Sequence, residues 1–237
     1  MIKRILCAVL AFFIAGVPMY SQKTDKASAV KAVMKNIDWF GQSSIRIRTG
    51  DKIIYIDPLY YDKDDKADII LITHLHSDHY VYKNVQALMK KDTVVIAPSD
   101  LGFANRVMSP GMSAIIRDII IEAVPAYNIV KANNHPKSTG NNGYIVTVDG
   151  VRVYHAGDTE LIPEMKTFKA DIALVPLGQT YTFASVKDAV QAVLDVKASE
   201  AIPIHFGMYE GTKADAALFA EELGKKGVIA EVREKKF

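Results

Sequence analysis

Apolar and polar positions follow one another in short blocks along the chain, and the period of each block predicts its secondary structure. SSIRIRTG, residues 43–50, alternates with a period of two, as a half-buried strand does. ADIILITH, residues 67–74, is an almost continuous aliphatic run, which is typical of a strand buried on both faces. SVKDAVQAVLDVK, residues 185–197, instead repeats its apolar residues at helical spacing. The pattern therefore predicts a mixture of strands and helices.

The order of the blocks predicts a layered α/β domain. Hairpin-rich segments come first, and strands alternate with helices later in the chain. The clearest hairpin lies within residues 141–159, where two β-branched runs flank Asp149-Gly150, a strong turn signal. Residues 212–227 begin with a threonine and end with a glycine, as a capped helix does. We therefore expect mixed sheets covered by helices, in one domain over residues 36–237.

The first 21 residues have the pattern of a secretory signal peptide. Two basic residues precede an uncharged apolar stretch, Ile5 to Val17, that is too short to span about 30 Å of hydrocarbon comfortably. We expect cleavage near the Ser21–Gln22 bond, and a secreted or periplasmic protein without a stable membrane anchor. An uncleaved anchor helix is the alternative. Residues 22–35 are polar and lysine-rich, and we expect them to form a loose lead-in to the domain.

Charge and cysteine content narrow the classes of function. Lys3 and Arg4 lie in the predicted signal peptide, so the mature chain keeps 27 of its 29 basic residues against 27 acidic ones. A neutral chain without a long basic run gives no electrostatic case for nucleic-acid binding. The single cysteine, Cys7, also lies in the predicted signal peptide, so the mature protein would have neither disulfides nor a thiolate nucleophile. A small-molecule substrate is the expected partner, and the oligomeric state stays open.

Half of the six histidines are crowded into THLHSDH, residues 73–79, directly after the aliphatic run. His74 and His76 are two positions apart, so in extended backbone their rings point the same way and can bind one ion. Asp78 and His79 follow a turn and can face a second ion. Imidazole and carboxylate groups are ligands that zinc, iron and manganese accept. A purely structural role is the weaker alternative, because burying several titratable groups together is costly unless something binds them.

The HxHxDH pattern of these residues resembles the signature of the metallo-β-lactamase-fold hydrolases, and later phrases of that family follow in order. YHAGDT contains Asp158, which matches an aspartate that bridges two metals, and IPIHFG contains His205, which matches the last histidine ligand. WFGQSSIRI, IYIDP, PAYN and HPK look most like the branch that contains ascorbate-6-phosphate lactonase-like proteins. The resemblance runs from residue 39 to about residue 210. It implies a four-layer αββα sandwich of two mixed β-sheets flanked by helices.

The resemblance also implies two metal sites that share one carboxylate. The first site would consist of three histidines: His74, His76 and His135. The second would consist of Asp78, His79 and His205. Asp158 would bridge the two sites.

The third histidine of the first site is the uncertain member, because many relatives have a histidine where this chain has Asn128. His135 is the nearest histidine, and we expect it to be the ligand; a loop residue that contacts substrate is the alternative. Asp57 is expected to orient a ligand histidine from behind, as carboxylates commonly do around metals. Gln42 stands where relatives often have histidine, and we expect a hydrogen bond near the site. His155 is expected to have a structural or supporting role.

This ligand set implies a metal-dependent hydrolase that cleaves a small ester, lactone or phosphodiester with a hydroxide shared by two divalent cations. Zinc is the expected metal, with manganese or iron as alternatives, and Asp78 and Asp158 would be the catalytic carboxylates. β-Lactam hydrolysis is not expected, because the antibiotic-cleaving branches lack the bridging aspartate. Two other classes stay open: an iron-dependent oxidoreductase of the persulfide-oxidising type, and a non-catalytic metal-binding protein.

Overall fold

The computed structural model describes residues 19–103 and 105–236. Within these ranges the strands form two mixed sheets, one of six strands and one of seven. The first sheet runs in chain order through β1 (Ile37–Gly41), β2 (Ser44–Thr49), β3 (Lys52–Ile56), β4 (Ile69–Leu71), β5 (Val94–Ala97) and β6 (Arg106–Val107).

The second sheet is formed by the later part of the chain, and its strands lie side by side in chain order from one edge to the other. They are β7 (Ser113–Ile116), β8 (Ile119–Pro125), β9 (Asn142–Val148), β10 (Val151–His155), β11 (Ile172–Pro176), β12 (Glu200–Ile204) and β13 (Ile229–Ala230). The helices are α1 (Met19–Lys35), α2 (Tyr82–Leu88), α3 (Val186–Asp195) and α4 (Lys213–Gly224), with single 3₁₀ turns at Lys137–Thr139 and Pro163–Thr167.

The alternating side chains of the first sheet divide between two cores. Ile45 and Ile54 face the main core between the sheets, which also takes in the apolar residues of α3 and α4. Tyr55 and Ile70 face the other way and pack with Val85 of α2. Apolar side chains on both faces of a sheet require a cover on each side. The two sheets with their outer helices form the four-layer αββα sandwich predicted from the resemblance, and that prediction is confirmed.

The hairpin turn and the helix cap that short sequence motifs predict are both present in the structure. Asp149 and Gly150 both have positive φ, 51° and 73°, as the two central residues of a type I′ hairpin turn must. They join β9 to β10, with Val148 paired to Val151. Thr212 caps α4, because its hydroxyl accepts the N–H of Asp215 and completes a capping box.

The expected loose lead-in is instead a helix, so the interpretation of residues 22–35 was wrong. Val30, Val33 and Met34 are buried in the main core, and their i, i+3, i+4 spacing forms one apolar stripe within a lysine-rich segment. Lys26 adds contacts with the second sheet's loops, through the carbonyl of Gly150 and the carboxylate of Asp171. The polar composition concealed a narrow stripe of only three residues. Residues 1–18, which hold most of the predicted signal peptide, lie outside the described residues.

In the part of the chain that the structure describes, no helix has both the length and the apolar character needed to cross a bilayer.

Parallel strands bring distant segments to one edge of the sandwich. In the first sheet β3, β4 and β5 are parallel, and in the second β10, β11 and β12 are parallel. β8 points the same way as β10, because both are antiparallel to β9. The carboxyl ends of parallel strands lie together, and loops at such ends commonly carry functional residues.

Candidate metal centre

Candidate ligands come from four loops that follow strand ends at this edge. His74, His76, Asp78 and His79 follow β4, and His135 lies in the connection between β8 and β9. Asp158 follows β10 and His205 follows β12. The ends of both sheets are close enough for these side chains to touch, although the segments are up to 131 residues apart, as for His74 and His205.

The first group consists of His74, His76 and His135, whose nearest ring nitrogens all lie within 4.8 Å of one another. His74 Nε2 is 3.0 Å from His76 Nδ1, and His135 Nε2 is 3.2 Å from the same atom. Three imidazole nitrogens that converge on one point form a ligand set that suits a transition-metal ion. The structure therefore brings His135, rather than Asn128, to the other two histidines.

The second group consists of Asp78, His79 and His205, again within 4.8 Å of one another. His79 Nε2 and His205 Nε2 each lie 3.6 Å from Asp78 Oδ2. His79 and His205 are buried, whereas Asp78 is partly exposed toward solvent. This group therefore has one open side, formed by the aspartate.

Asp158 lies between the two groups and contacts both. Its Oδ1 is 3.3 Å from His79 Nε2, and its Oδ2 is 3.4 Å from His135 Nε2 and 3.3 Å from His205 Nε2. His79 Nε2 and Asp158 Oδ1 are fully buried and have no hydrogen-bond partner. Buried polar atoms without partners are costly, and a cation between the ring and the carboxylate would satisfy both. The donor set thus fits metal ions.

Burial and the carboxylates of the centre shift the pKa values of its histidines in opposite directions. Burial lowers the pKa of His74 well below its ordinary value and also lowers that of His135. Burial opposes protonation of His79 as well, but the carboxylates of Asp158 and Asp57 outweigh it and raise the pKa of His79 to about 10. The pKa of His205 also rises despite burial, chiefly because of Asp158. Without metal, protons on these two rings therefore balance the carboxylates.

Asp57 supports the centre from behind. The fully buried carboxylate accepts hydrogen bonds from the backbone N–H of Thr73 at 2.8 Å and its hydroxyl at 2.6 Å, and lies 2.8 Å from His79 Nδ1. A hydrogen bond from Nδ1–H leaves Nε2 of His79 free to face Asp158. Asp57 has φ of +46°, a left-handed conformation that costs a non-glycine residue energy and persists where its surroundings hold it. The position is the one expected for this residue.

Gln42 and His205 are held together by their backbones and side chains. Both have left-handed φ, +48° and +56°, and the N–H of His205 donates to the carbonyl of Gln42 at 2.8 Å. The indole of Trp39 donates to the same carbonyl. Gln42 Nε2 donates to Asp78 Oδ2 at 2.9 Å and lies 2.7 Å from His205 Nε2. The expected hydrogen bond of Gln42 near the site is present.

His155 lies behind the centre and takes no place in either group. It is fully buried at the end of β10, with Nε2 3.0 Å from the carbonyl of Ser43 and Nδ1 accepting the N–H of Gly157. Burial lowers its pKa, so the ring is neutral with the proton on Nε2. It ties β10 to the first sheet and holds the turn that presents Asp158.

Glu210, which no motif in the sequence indicated, supports His205 as Asp57 supports His79. Its buried carboxylate lies 3.1 Å from His205 Nδ1 and accepts the backbone N–H of Tyr181 at 2.7 Å. Gly178 makes room for it, because a Cβ there would lie 1.8 Å from the carboxyl carbon of Glu210. A lone acidic residue in HFGMYEG, five positions after the histidine, was the available signal.

Asn128 departs from the family pattern, and the structure gives it a supporting position. Its Nδ2 lies 3.3 Å from His135 Nδ1 and donates to the carbonyl of Tyr181 at 2.7 Å. Its backbone N–H donates to the carbonyl of His135. Asn128 thus holds the loop that carries His135 instead of contributing a ring itself.

The two groups open onto a cleft of about 360 Å³. Asp78, His135, Asp158 and His205 form its floor with His76, and the walls include Asn134, Tyr181 and Tyr209. The cleft gives a small molecule direct access to the space between the candidate ligands.

Comparison with known proteins agrees with this geometry. Residues 36–205 match the family model described as the beta-lactamase superfamily domain. The chain belongs to the beta-lactamase superfamily, and the resemblance inferred from the sequence is confirmed at this level. A UPF0173 metal-dependent hydrolase of Methanosphaera stadtmanae is 30% identical over 215 residues, which cover 79% of this chain and 90% of the relative.

Solved structures give the same result. A candidate metal-dependent hydrolase from Parabacteroides distasonis is 38% identical with a TM-score of 0.76, covering 84% of this chain and 93% of the other. A diiron β-hydroxylase from Streptomyces venezuelae shares the fold at 14% identity and a TM-score of 0.69, covering 84% of this chain and 52% of the other. The protein is an enzyme, a metal-dependent hydrolase with histidine and aspartate groups that can bind metal.

Proposed function

We propose that this enzyme cleaves a small ester, lactone or phosphodiester at a centre of two divalent cations, with zinc as the resident metal. One cation would be held by His74, His76 and His135, and the other by Asp78, His79 and His205, with Asp158 shared between them. Lactones are included because of the resemblance to ascorbate-6-phosphate lactonase-like proteins.

The position of Asp158 is the observation that carries the proposal. Its two oxygens face different histidines, His79 on one side and His135 and His205 on the other, at 3.3–3.4 Å. A carboxylate directed at two ligand groups at once has the geometry of a bridge. His79 Nε2 and Asp158 Oδ1 are buried without a hydrogen-bond partner, and a cation between them would satisfy both. A single-ion site would not need both groups.

Two divalent cations, when bound, supply an acidified water and an electrophile for the oxyanion that develops on the substrate. The chain's own residues position the reactants. Asp78 borders the cleft, and its pKa is held below the ordinary range, against the effect of burial, by His205 and His79. It therefore stays ionised and would accept a hydrogen bond from the attacking water, while Gln42 Nε2 donates a hydrogen bond to its Oδ2. The proton that the attacking water loses would pass through the ionised Asp78 carboxylate to the leaving group, so the step balances without another acid.

Metal content tests this proposal directly. Protein saturated with zinc and freed of excess metal should contain two zinc ions per chain. His135→Ala should retain about one ion, because it removes a ligand from the first group only. Elemental analysis of both proteins and of an Asp51→Ala control, which changes an exposed aspartate outside both groups, measures this. A single ion in the wild-type protein would contradict the two-ion centre.

Metal binding should release protons, because His79 and His205 must lose a proton to become ligands. Their folded pKa values lie above the ordinary value of 6.5, at about 10 for His79. The protonated rings stabilise the metal-free fold fully below about pH 6.5, and the contribution of His79 is lost as the pH rises through about 10. At pH 7.5 we expect at least two protons released per chain, one from each ring, and a zinc affinity that rises with pH. Calorimetric titrations in buffers of different ionisation enthalpy measure the number; zero released protons would contradict the assigned ligands.

We also propose that the enzyme is exported and cleaved near the Ser21–Gln22 bond. Cleavage there would shorten α1 by three residues and leave the contacts of Lys26 and Val30 intact. Mass spectrometry of protein isolated from its natural host should therefore find an N-terminus at about Gln22. Retention of residues 1–21 in the isolated protein would support the uncleaved anchor instead.

The iron-dependent oxidoreductase has weaker support. The diiron β-hydroxylase shares the fold alone with this chain, at 14% identity. Protein purified without added metal should be colourless on our proposal, whereas iron and visible absorbance would favour oxidation chemistry.

A further inference from the structure

The walls of the cleft are aromatic and neutral. Tyr181 and Tyr209 line it with 42% and 61% of their surfaces exposed, and Asn134 and Ser77 provide neutral polar groups. Among the described residues that line the cleft, none is a lysine or an arginine. Large exposed aromatic rings beside a reaction centre are expected to contact an apolar, flat part of a ligand.

The two nearby lysines are engaged by the protein itself. Lys131 donates to the carbonyls of Thr182 and Gln179 and lies 3.8 Å from the carboxylate of Glu160. Lys137 is 2.8 Å from Glu164 and lies over the ring of Tyr127. Neither is directed at the cleft to receive an anionic group, so sequence proximity to His135 does not make them substrate contacts.

The carboxylates around the centre also leave no excess positive charge. Asp78 and Asp158 lie between the histidines, Asp57 lies behind His79, and Glu210 lies behind His205. Four carboxylates balance the formal charge of two divalent cations when the histidines are neutral ligands. A centre that is neutral before it binds hydroxide has little attraction for a second anionic group on a substrate.

Glu210 makes the aromatic walls part of the same built site. Its carboxylate accepts the backbone N–H groups of Thr180 and Tyr181 at 3.0 and 2.7 Å and the hydroxyl of Thr182 at 2.9 Å. Tyr209 precedes it directly in the chain. One buried side chain therefore fixes His205 and both tyrosine-bearing segments, so the walls are held at a set position relative to the centre.

We propose, on the basis of the proposed hydrolase function, that the substrate is an uncharged carboxylic ester or lactone with a flat apolar group that packs on Tyr181 and Tyr209. Phosphorylated lactones and phosphodiesters are then poor substrates, in contrast to what the lactonase-like resemblance by itself would imply. The tyrosines are specificity-determining residues and take no part in bond cleavage.

A matched pair of esters tests the charge preference. 4-Nitrophenyl butyrate and 4-nitrophenyl hydrogen succinate share the leaving group and a four-carbon acyl chain, and differ by one carboxylate. We expect kcat/KM for the butyrate to be at least about tenfold higher than for the succinate. The rate acceleration over the uncatalysed reaction should be smaller for bis(4-nitrophenyl) phosphate than for either ester. Preference for the succinate or the phosphodiester would overturn the inference.

Substitution of both tyrosines tests the walls. Tyr181→Ala/Tyr209→Ala keeps the backbone N–H groups that Glu210 accepts, and should raise KM for 4-nitrophenyl butyrate about tenfold with little change in kcat. KM for methyl butyrate, which has no aryl group, should not change. Tyr82→Ala serves as the control, because the exposure of Tyr82, 54%, lies between those of the two cleft tyrosines, and its ring packs on Phe103 outside the cleft. Unchanged KM values in the double variant would overturn the inference.

A binding measurement gives the same answer without turnover. Acetophenone is neutral, aromatic and not hydrolysable, and its saturation-transfer NMR signal with the metal-loaded enzyme should be lost in the double tyrosine variant and kept in Tyr82→Ala. Asp158→Ala distinguishes failure of the proposed hydrolase function from failure of the inference about the substrate. If Asp158→Ala abolishes hydrolysis but the enzyme prefers the charged substrates, only the inference about the substrate fails. If hydrolysis survives in Asp158→Ala, the proposed function and the inference both fail.

Discussion

Replacement of Asp158 by alanine is expected to reduce kcat/KM for ester hydrolysis by at least about 10³-fold, because it removes the shared ligand of both metal groups. The same change leaves His79 and His205 without the carboxylate that lies 3.3 Å from each. Zinc content should fall below one ion per chain. Initial rates with 4-nitrophenyl butyrate and elemental analysis of the same samples measure both effects.

Asp51→Ala is the matched control, since Asp51 is an aspartate with 93% of its side chain exposed in the turn between β2 and β3. It should keep wild-type rates and wild-type zinc. Circular dichroism of Asp158→Ala establishes that the variant is folded. A folded Asp158→Ala protein with near wild-type activity would show that the chemistry occurs elsewhere.

Replacement of Asp57 by alanine should lower the free energy of unfolding by about 3–5 kcal/mol. The change strands three buried donors: the N–H and hydroxyl of Thr73, and His79 Nδ1. It also places an alanine at φ of +46°. Urea unfolding of the wild-type and variant proteins, at matched zinc occupancy, measures the difference.

Two further substitutions at position 57 separate the effects of the lost carboxylate, the left-handed backbone and the orientation of the His79 ring. Asp57→Gly loses the same carboxylate but tolerates the left-handed backbone, so it should be more stable than Asp57→Ala by about 1 kcal/mol. Asp57→Asn keeps the shape, but its amide can donate to His79 Nδ1 and move the ring proton to Nε2, so zinc affinity should fall by about 10–100-fold. Equal stability of the alanine and glycine variants would exclude backbone strain, and unchanged zinc affinity in Asp57→Asn would exclude an orienting role.

Local sequence signals predicted much of the fold, and they failed where the signal was narrow. The Asp149-Gly150 turn and the Thr212 cap act within a few residues, so their chemistry is visible without tertiary structure. Helix α1 was missed because its apolar stripe is short and its stability comes from contacts with β1, β2 and β10 rather than from its own composition.

The residues of the candidate site likewise divide into those that sequence motifs identify and those that only the tertiary structure identifies. The sequence alone identified six candidate ligands by motif. One motif contains His74, His76, Asp78 and His79, and two further family motifs contain Asp158 and His205. Glu210 carries no motif, and its burial and its contact with His205 Nδ1 are visible only in the tertiary structure. The sequence indicated His135 as the expected third histidine, with a loop residue that contacts substrate as the alternative, and the tertiary structure places its ring 3.2 Å from His76 Nδ1.

The sequence by itself determined the class of protein and the chemical character of its centre, because imidazole and carboxylate groups at family spacing are properties of residue type and order. The tertiary structure decided which side chains support the ligands, which lysines are neutralised, and which tyrosines wall the cleft. Those relations depend on distances between residues far apart in the chain, such as Tyr181 and Glu210 or Lys131 and Thr182. Such distances arise only when the parallel strands of the two sheets bring their carboxyl ends to a common edge.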